Sequence, residues 1–159
     1  MTGASIELLT GDAWGKALHR DLSAASGDVL ISIYLISRHW DSRGRGEINL
    51  MEDLRQVTSH GAKGRLILAH PATILAREAY NVDAAATLKQ AGWQVKFGPQ
   101  KLQWHEKLIL IGPDILYIGS HNISISSLAR NIDTTARITD PETYQKAWRL
   151  FWTRWRICR

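Results

Sequence analysis

Two short runs that are apolar at almost every position constrain the fold most strongly. They are "DVLISIYLI" at residues 28–36 and "GRLILAHP" at residues 64–71. A strand with one face in water alternates apolar and polar side chains, whereas a strand covered on both faces does not. Both runs therefore predict central, buried strands, and Pro71 ends the second of them.

Strand and helix patterns alternate along the rest of the chain. Further strands are predicted at "SIELLT", "WQVKF" and "DTTARIT". Asp12 is the predicted N-cap of a first helix, and Gly61 and Gly92 end the next two. A terminal helix is predicted from about Pro141. The alternation predicts an α/β fold, with one domain over residues 1–159 and helices on both faces of a mixed sheet.

The composition limits the chemistry. A chain of 159 residues can form one domain with a real core. Its net charge of +5 suits nucleic acid, phosphate esters or acidic membranes, and equally an unspecialised basic surface. The single cysteine, Cys158, allows no disulfide or thiolate zinc site within one chain. The six histidines lack metal-ligand spacing, so no metal and no cofactor is predicted.

Targeting signals are not apparent in the sequence. The N-terminal "MTGASIELLTGDAW" lacks a basic region followed by an apolar run, so no signal peptide is predicted. No apolar stretch reaches the roughly 18 residues of a membrane span, so no stable membrane insertion is expected. These observations predict a cytoplasmic protein and leave open an exported form whose signal has been removed.

The segment "WHEKLILIGPDILYIGSHN" at residues 104–122 is a predicted β-hairpin. A turn at Gly112-Pro113-Asp114 places His105 and Lys107 opposite residues 119–122. If the second strand continues, Ser120 and Asn122 share a face. Such a set can donate hydrogen bonds to phosphate oxygens, while a His attacks phosphorus or carries protons. The alternative is a solvent-exposed strand end with unrelated polar residues.

The hairpin resembles the active-site motif of the phospholipase D superfamily. That motif is His-x-Lys, four residues, Asp, six residues, Gly-Ser-x-Asn. Five positions match it in identity and spacing: His105, Lys107, Gly119, Ser120 and Asn122. The family Asp falls on Gly112, and the nearest carboxylate is Asp114. Because the family Asp braces the turn, this departure concerns turn rigidity more than catalysis, and Asp114 is expected to act as a local hydrogen-bond acceptor.

The resemblance extends to the small bacterial endonuclease branch of that superfamily. Asn131 and Asp133 stand where this branch carries an Asn-x-acid pair, and the resemblance implies that Asp133 orients the catalytic imidazole. The alternative is a simple strand-start Asp. The family reaction needs two His-x-Lys motifs, and none of the other five histidines is followed by Lys two residues later. One copy therefore implies a homodimer of α/β/α sandwiches with the site at the interface.

Two regions outside the motif and one residue within it bear on the substrate. Around Trp40, the loop "RHWDSRGRG" carries Arg38, Arg43 and Arg45, a combination suited to phosphate contact and base stacking, or to an ordinary solvated loop. His121, at the variable motif position, is a candidate substrate contact or only a neighbour of the site.

The terminal helix carries an aromatic stripe, which predicts core packing. Its members are Tyr144, Trp148, Phe151 and Trp155, and Trp152 lies at the edge of the stripe, where a side chain can be buried or exposed. A nucleic-acid contact and an amphipathic helix on an anionic membrane are the alternatives for this helix.

The favoured function is a metal-independent, non-specific nuclease that cleaves DNA or RNA through a phosphohistidine. The resemblance implies that His105, Lys107, Ser120, Asn122 and Asp133 form its catalytic set. A phospholipase D-type lipid phosphodiesterase or phosphatidyltransferase uses the same chemistry and is the second hypothesis. A nucleic-acid-binding subunit with little turnover is the third, supported only by Gly112.

Overall fold

The computed structural model describes residues 4–37, 48–74 and 78–159. The strands are β1 Ser5–Thr10, β2 Val29–Ile33, β3 Gly64–Leu68, β4 Gln94–Phe97, β5 Lys107–Ile111, β6 Ile115–Gly119 and β7 Thr134–Thr139. The helices are α1 Gly11–Ser23, α2 Leu50–Ser59, α3 Glu78–Gln90, α4 Ile125–Ala129 and α5 Pro141–Ile157. The predicted elements are confirmed, and α4 and a 3-10 turn at Pro71–Thr73 were not predicted.

The strands form one mixed sheet in the order β1-β7-β6-β5-β2-β3-β4. The neighbours β2, β3 and β4 are parallel, and the other pairs are antiparallel. All five residues of β2 are buried. Ile31 packs with α1 and α2, whereas Leu30 packs with α5 on the other face. This confirms the α/β fold with helices on both faces, because only two-sided cover buries every residue of a strand.

The first helix begins differently from the prediction. Thr10, in extended conformation, occupies the N-cap position, and Asp12 lies in the first turn. The prediction of Asp12 as N-cap was therefore wrong, because Gly11 takes a φ of +47° and turns the chain into the helix two residues earlier. The Asp12 carboxylate still lies near the positive end of the helix dipole. Gly61 and Gly92, with φ of +88° and +91°, follow α2 and α3 as predicted.

The aromatic stripe of α5 is only partly core. Tyr144 and Phe151 are buried, but Trp148 is 38% exposed, so its predicted burial was wrong. Trp152, at the edge of the stripe, is half-buried, and the Arg65 guanidinium lies 5.0 Å from the centre of its ring. Helix α5 packs on β6 and β5 and reaches β4 only near its C-terminus. The residues that face the sheet therefore change along the helix and do not follow one straight stripe.

One part of the sheet has no helix over it among the described residues. On the α5 side, Ile6 and Leu8 of β1 are 72% and 73% exposed, and Ile118 of β6 is 48% exposed. Register places Leu8 and Ile118 on either side of Ala136, so these side chains share one face. We call this surface the open sheet face.

No helix within the described ranges is long and apolar enough to cross a bilayer.

Candidate active site

The motif residues lie at one edge of the sheet. Strands β5 and β6 pair antiparallel with Leu108 opposite Ile118, as predicted, so His105 precedes β5 on the same edge where Ser120 follows β6. The parallel strands β2 to β4 end at this edge as well, and β2 lies between a parallel and an antiparallel neighbour. Strand ends at such a change of direction are where α/β sheets bind ligands.

His105 and Lys107 form a close pair. The Lys107 Nζ atom lies 3.0 Å from Nδ1 and 3.2 Å from Nε2 of the His105 ring, and it donates a 2.8 Å hydrogen bond to the His105 carbonyl oxygen. The His105 side chain is exposed, whereas Lys107 is only 8% exposed. The pair therefore presents an accessible imidazole supported by a buried ammonium group.

Tyr34 belongs to this site, although the motif does not contain it. Its ring lies 4.9 Å from the His105 ring and 5.3 Å from the Lys107 ammonium. Asn81, fully buried in α3, donates hydrogen bonds to the carbonyl oxygens of Tyr34 and Ala69 and accepts one from the Ile36 backbone. Asn81 thus ties the ends of β2 and β3 together and fixes Tyr34 beside the pair. The only sequence signal was an aromatic residue near the end of a buried strand.

The electrostatics favour a neutral imidazole. Although much of the His105 side chain is exposed, partial desolvation of its ring lowers the pKa of His105 below the usual histidine value, and the positive charge of Lys107 lowers it further. Burial also lowers the pKa of Lys107, against the opposing effect of the Asp133 carboxylate. A neutral imidazole has a free lone pair, so a lowered pKa keeps His105 nucleophilic at more acidic pH.

We expect the His105 ring to titrate below about pH 6.5, the usual histidine value, and Lys107→Met to raise that midpoint. The substitution removes the neighbouring positive charge and leaves most of the burial, so the imidazolium becomes easier to form. NMR titration of the His105 ring carbon signals measures both midpoints. An unchanged or lower midpoint in Lys107→Met would contradict the charge effect.

The loop after β6 departs from the predicted geometry. Because the strand ends at Gly119, Ser120 and Asn122 do not share a strand face. The Ser120 hydroxyl instead accepts a 3.0 Å hydrogen bond from the Thr134 amide, which fixes the loop on β7. Gly119 permits this approach, since a Cβ there would lie 2.4 Å from the Thr134 carbonyl oxygen. The backbone N–H of Asn122 donates a hydrogen bond to the Ser127 hydroxyl. The side-chain oxygen of Asn122, Oδ1, is buried without a hydrogen-bond partner among the described residues.

His121 is buried beneath the site, with 2% of its surface exposed. Its ring stacks on Trp14 at 4.6 Å, and its Nδ1 atom lies 2.7 Å from the Thr135 hydroxyl. Of the two predicted roles of His121, burial excludes direct contact with substrate and favours a neighbour of the site, because Trp14 and β7 cover the ring. Burial lowers the pKa of His121, and the Asp133 charge opposes this effect.

Asp133 lies close enough for its charge to act on Lys107 and His121, but within the described residues it makes no hydrogen bond to His105. One of its carboxylate oxygens, Oδ2, is buried without a partner in the same set. The single chain therefore does not show the implied contact in which Asp133 orients the imidazole.

Glu106 anchors the backbone between the two motif residues. Its carboxylate accepts a 2.6 Å hydrogen bond from the Ser32 hydroxyl and a 2.7 Å hydrogen bond from Arg154 Nε. The Trp104 indole N–H donates to the same Ser32 oxygen at 3.0 Å. These contacts join β2, the start of β5 and the end of α5, and so hold the His105 backbone in place from the face opposite Lys107.

The turn of the hairpin is remote from the motif residues. Gly112 lies at the far end of β5, roughly 16 Å along the strand from Lys107 at about 3.3 Å per residue. A Cβ at Gly112 would lie 3.3 Å from the Tyr144 hydroxyl, so Tyr144 fills the space beside it. Asp114 accepts a hydrogen bond from the Asp140 amide through its backbone carbonyl, whereas its carboxylate was the expected acceptor.

Other predicted site residues lie outside the described residues, namely Arg38, Trp40, Arg43 and Arg45. Within the described ranges, no three His, Cys, Asp or Glu side chains group closely enough to hold a metal ion.

Comparisons with known proteins agree with this fold. The family model described as "Cardiolipin synthase, PLD-like domain" matches residues 18–155. A comparison with curated protein sequences finds no match.

Among solved structures, NucT from Helicobacter pylori superposes with a TM-score of 0.77 at 19% identity, covering 98% of both chains. The phospholipase D family member Nuc from Salmonella typhimurium gives 0.79 at 14% identity over 99% of this chain and 97% of that one. The archaeal chromatin protein TrmBL2, described by its mode of DNA binding, gives 0.65 at 14% identity over 97% of this chain and 52% of that one. With its fold and the matched family model, this chain belongs to the phospholipase D superfamily, as a member with a PLD-like domain.

Proposed function

We propose that the protein is a phosphodiesterase that cleaves nucleic acid without a metal cofactor, using His105 as the nucleophile. The pairing of an exposed His105 with the buried ammonium group of Lys107 carries this proposal. A neutral imidazole can attack phosphorus, and the adjacent ammonium can stabilise negative charge on the non-bridging oxygens. The polar groups of Ser120 and Asn122, at the same edge, supply further hydrogen bonds.

The reaction proceeds in two displacements. His105 attacks the phosphodiester, which forms a phosphorus–nitrogen bond and breaks one phosphorus–oxygen bond, while a second His105 gives its proton to the departing alkoxide. That second His105 then takes a proton from water. The resulting hydroxide displaces the first imidazole, releasing a phosphate monoester and restoring both histidines.

The second His105 comes from a second copy of the chain. The open sheet face supports such a dimer, because Ile6, Leu8 and Ile118 are exposed apolar side chains without a partner layer in the described part of the chain. Ile118 lies on the face of the sheet opposite Lys107, but it directly precedes Gly119 and Ser120, so the open sheet face reaches the strand ends that carry the motif. A two-fold pairing of this face lets each copy cover the apolar surface of the other. In the dimer, Asp133 has a second His105 as a possible partner.

Nucleic acid is the substrate that the charge favours. The net charge of +5 attracts a polyanion, and the predicted Arg38, Arg43 and Arg45 add phosphate contacts near Trp40. The similarity to TrmBL2, whose description names DNA binding, supports the same choice.

A lipid phosphodiester is the second candidate. The description of the matching family model names cardiolipin synthase, and this supports a lipid substrate. Trp148 and Ile157, 38% and 53% exposed on α5, are side chains that can enter a bilayer surface.

A substrate panel in excess EDTA tests the proposal. We expect the wild-type protein to cleave labelled single- or double-stranded DNA or RNA, and to leave phosphatidylcholine and cardiolipin liposomes intact. EDTA inhibition would contradict the metal-free reaction, and hydrolysis of liposomes alone would favour the lipid candidate. Nucleic-acid binding without cleavage over a long incubation would mean a binding subunit.

A further inference from the structure

A second cleft lies beside the candidate active site on the same edge of the sheet. It has a volume of about 590 Å³ and is formed where β3, β4 and α5 end. Its lining includes His70, Phe97, Gly98, Pro99, Lys101 and Arg159. This size falls within the range of ligand-binding sites in proteins. The cleft lies next to β4, the edge strand farthest from β1, whereas the open sheet face is formed by β1 and β6. The proposed dimer therefore leaves the cleft accessible.

The walls of the cleft are fixed by main-chain contacts. Phe97 and Arg159 exchange two backbone hydrogen bonds of 2.6 and 3.1 Å, and the Gly98 amide donates to the Leu68 carbonyl oxygen at 2.8 Å. Gly98 lies against Trp104, since a Cβ there would come within 2.8 Å of the indole ring. Because Gly98 lies against Trp104 and His105 follows Trp104 directly, the cleft and the motif pair lie on the order of 10 Å apart.

The lining combines an aromatic face with donors. The Phe97 ring is half-buried, and the His70 ring meets it edge-on at 6.2 Å. The His70 Nδ1 atom accepts a 3.2 Å hydrogen bond from the Ala72 amide, which places the proton of a neutral ring on Nε2. No hydrogen bond to that Nε2 atom occurs within the described parts of the chain.

The cations of the cleft are also available. Lys101 and Arg159 are exposed, and neither makes an ion pair with the described residues. By contrast, the nearby Lys96 is already engaged, since its Nζ atom donates to the Trp155 carbonyl oxygen at 3.0 Å and lies over the Trp155 ring.

We propose that this cleft binds an unpaired nucleotide of a single-stranded nucleic acid, a few positions from the scissile phosphate. The base stacks on Phe97, the His70 Nε2–H donates to it, and Lys101 and Arg159 hold the adjacent phosphate. A base in a duplex is stacked and paired, so it enters such a cleft only after extrusion from the helix. The inference rests on the proposed function and narrows its substrate to single strands.

Binding measurements in the inactive His105→Ala background test the cleft separately from turnover. Fluorescence anisotropy with a labelled single-stranded oligonucleotide and a blunt duplex compares Phe97→Leu and Lys101→Ala with Lys63→Ala. Lys63 is an exposed lysine beside the start of β3, at the opposite edge of the sheet, so it is the matched control for loss of charge. Thermal unfolding of each variant establishes that it is folded.

We expect Phe97→Leu to weaken single-strand binding roughly 5- to 150-fold without changing its salt dependence. Lys101→Ala should weaken it and reduce the slope of log affinity against log salt by about 0.7, since one phosphate contact is lost. Lys63→Ala and duplex binding should change less than about twofold.

The cleft assignment would be overturned if both variants bound the single strand as tightly as the His105→Ala parent. It would also be overturned if they lost affinity for the duplex to the same extent as for the single strand. If the wild-type protein cleaves nucleic acid and these variants bind normally, the cleft proposal fails and the proposed function stands. If the variants lose single-strand binding but the wild-type protein cleaves nothing, the cleft stands and the proposed function fails.

Discussion

His105→Ala should reduce phosphodiester cleavage by at least about 10⁴-fold, with EDTA present throughout. In the proposed dimer one substitution removes both the nucleophile, without which the covalent intermediate cannot form, and the general acid, whose role alone contributes roughly 10² to 10⁴ in rate. Initial rates on a labelled oligonucleotide measure this loss. His60→Ala is the matched control because His60 is exposed at the end of α2 and its side chain has no hydrogen-bond partner in the described residues.

The covalent intermediate gives this prediction a second readout. Wild-type protein mixed with phosphate-labelled substrate and quenched in alkali should carry label on His105, because phosphohistidine survives alkaline conditions. Retained cleavage in His105→Ala, or label on another residue, would mean that the nucleophile has been misassigned.

Leu8→Glu should convert the dimer into a monomer and reduce cleavage roughly 10² to 10⁴-fold, the contribution of the missing general acid. Leu8 is 73% exposed, so the charged side chain is tolerated in the folded monomer but is buried unpaired in a dimer formed through the open sheet face. Light scattering should give twice the 17.9 kDa chain mass for wild type and the single mass for the variant.

Val82→Glu is the control for Leu8→Glu. It introduces the same charge at an apolar residue that is 49% exposed on α3, on the other side of the sheet, and it should remain dimeric and active. A monomeric Leu8→Glu protein with full activity would show that one chain is sufficient for the reaction.

Mixing wild type with an equal amount of His105→Ala under subunit exchange adds a third test. Random exchange leaves about a quarter of the dimers with His105 in both subunits. The mixture should therefore retain about a quarter of the activity shown by the same total amount of wild-type protein.

The hairpin shows why part of the site was predictable. Its turn residues, its strands and the spacing of its motif are local properties of the sequence. They were sufficient to predict that His105 and Lys107 lie opposite Gly119 and Ser120. The same local reasoning failed where the strand ended. Whether β6 continues past Gly119 depends on its contact with Thr134 of β7, which a pattern within the hairpin does not contain.

The sequence by itself determined the α/β fold, the order of the strands along the chain and the five motif residues. The apolar runs, the turn glycines and the motif spacing indicate these features, because each of the three patterns lies within a short stretch of the chain. Only the tertiary structure placed Tyr34 and Asn81 at the site, buried His121 beneath Trp14 and left the open sheet face uncovered. These features join residues far apart in the chain or depend on which helix covers which strand. That choice is made by packing across the whole sheet.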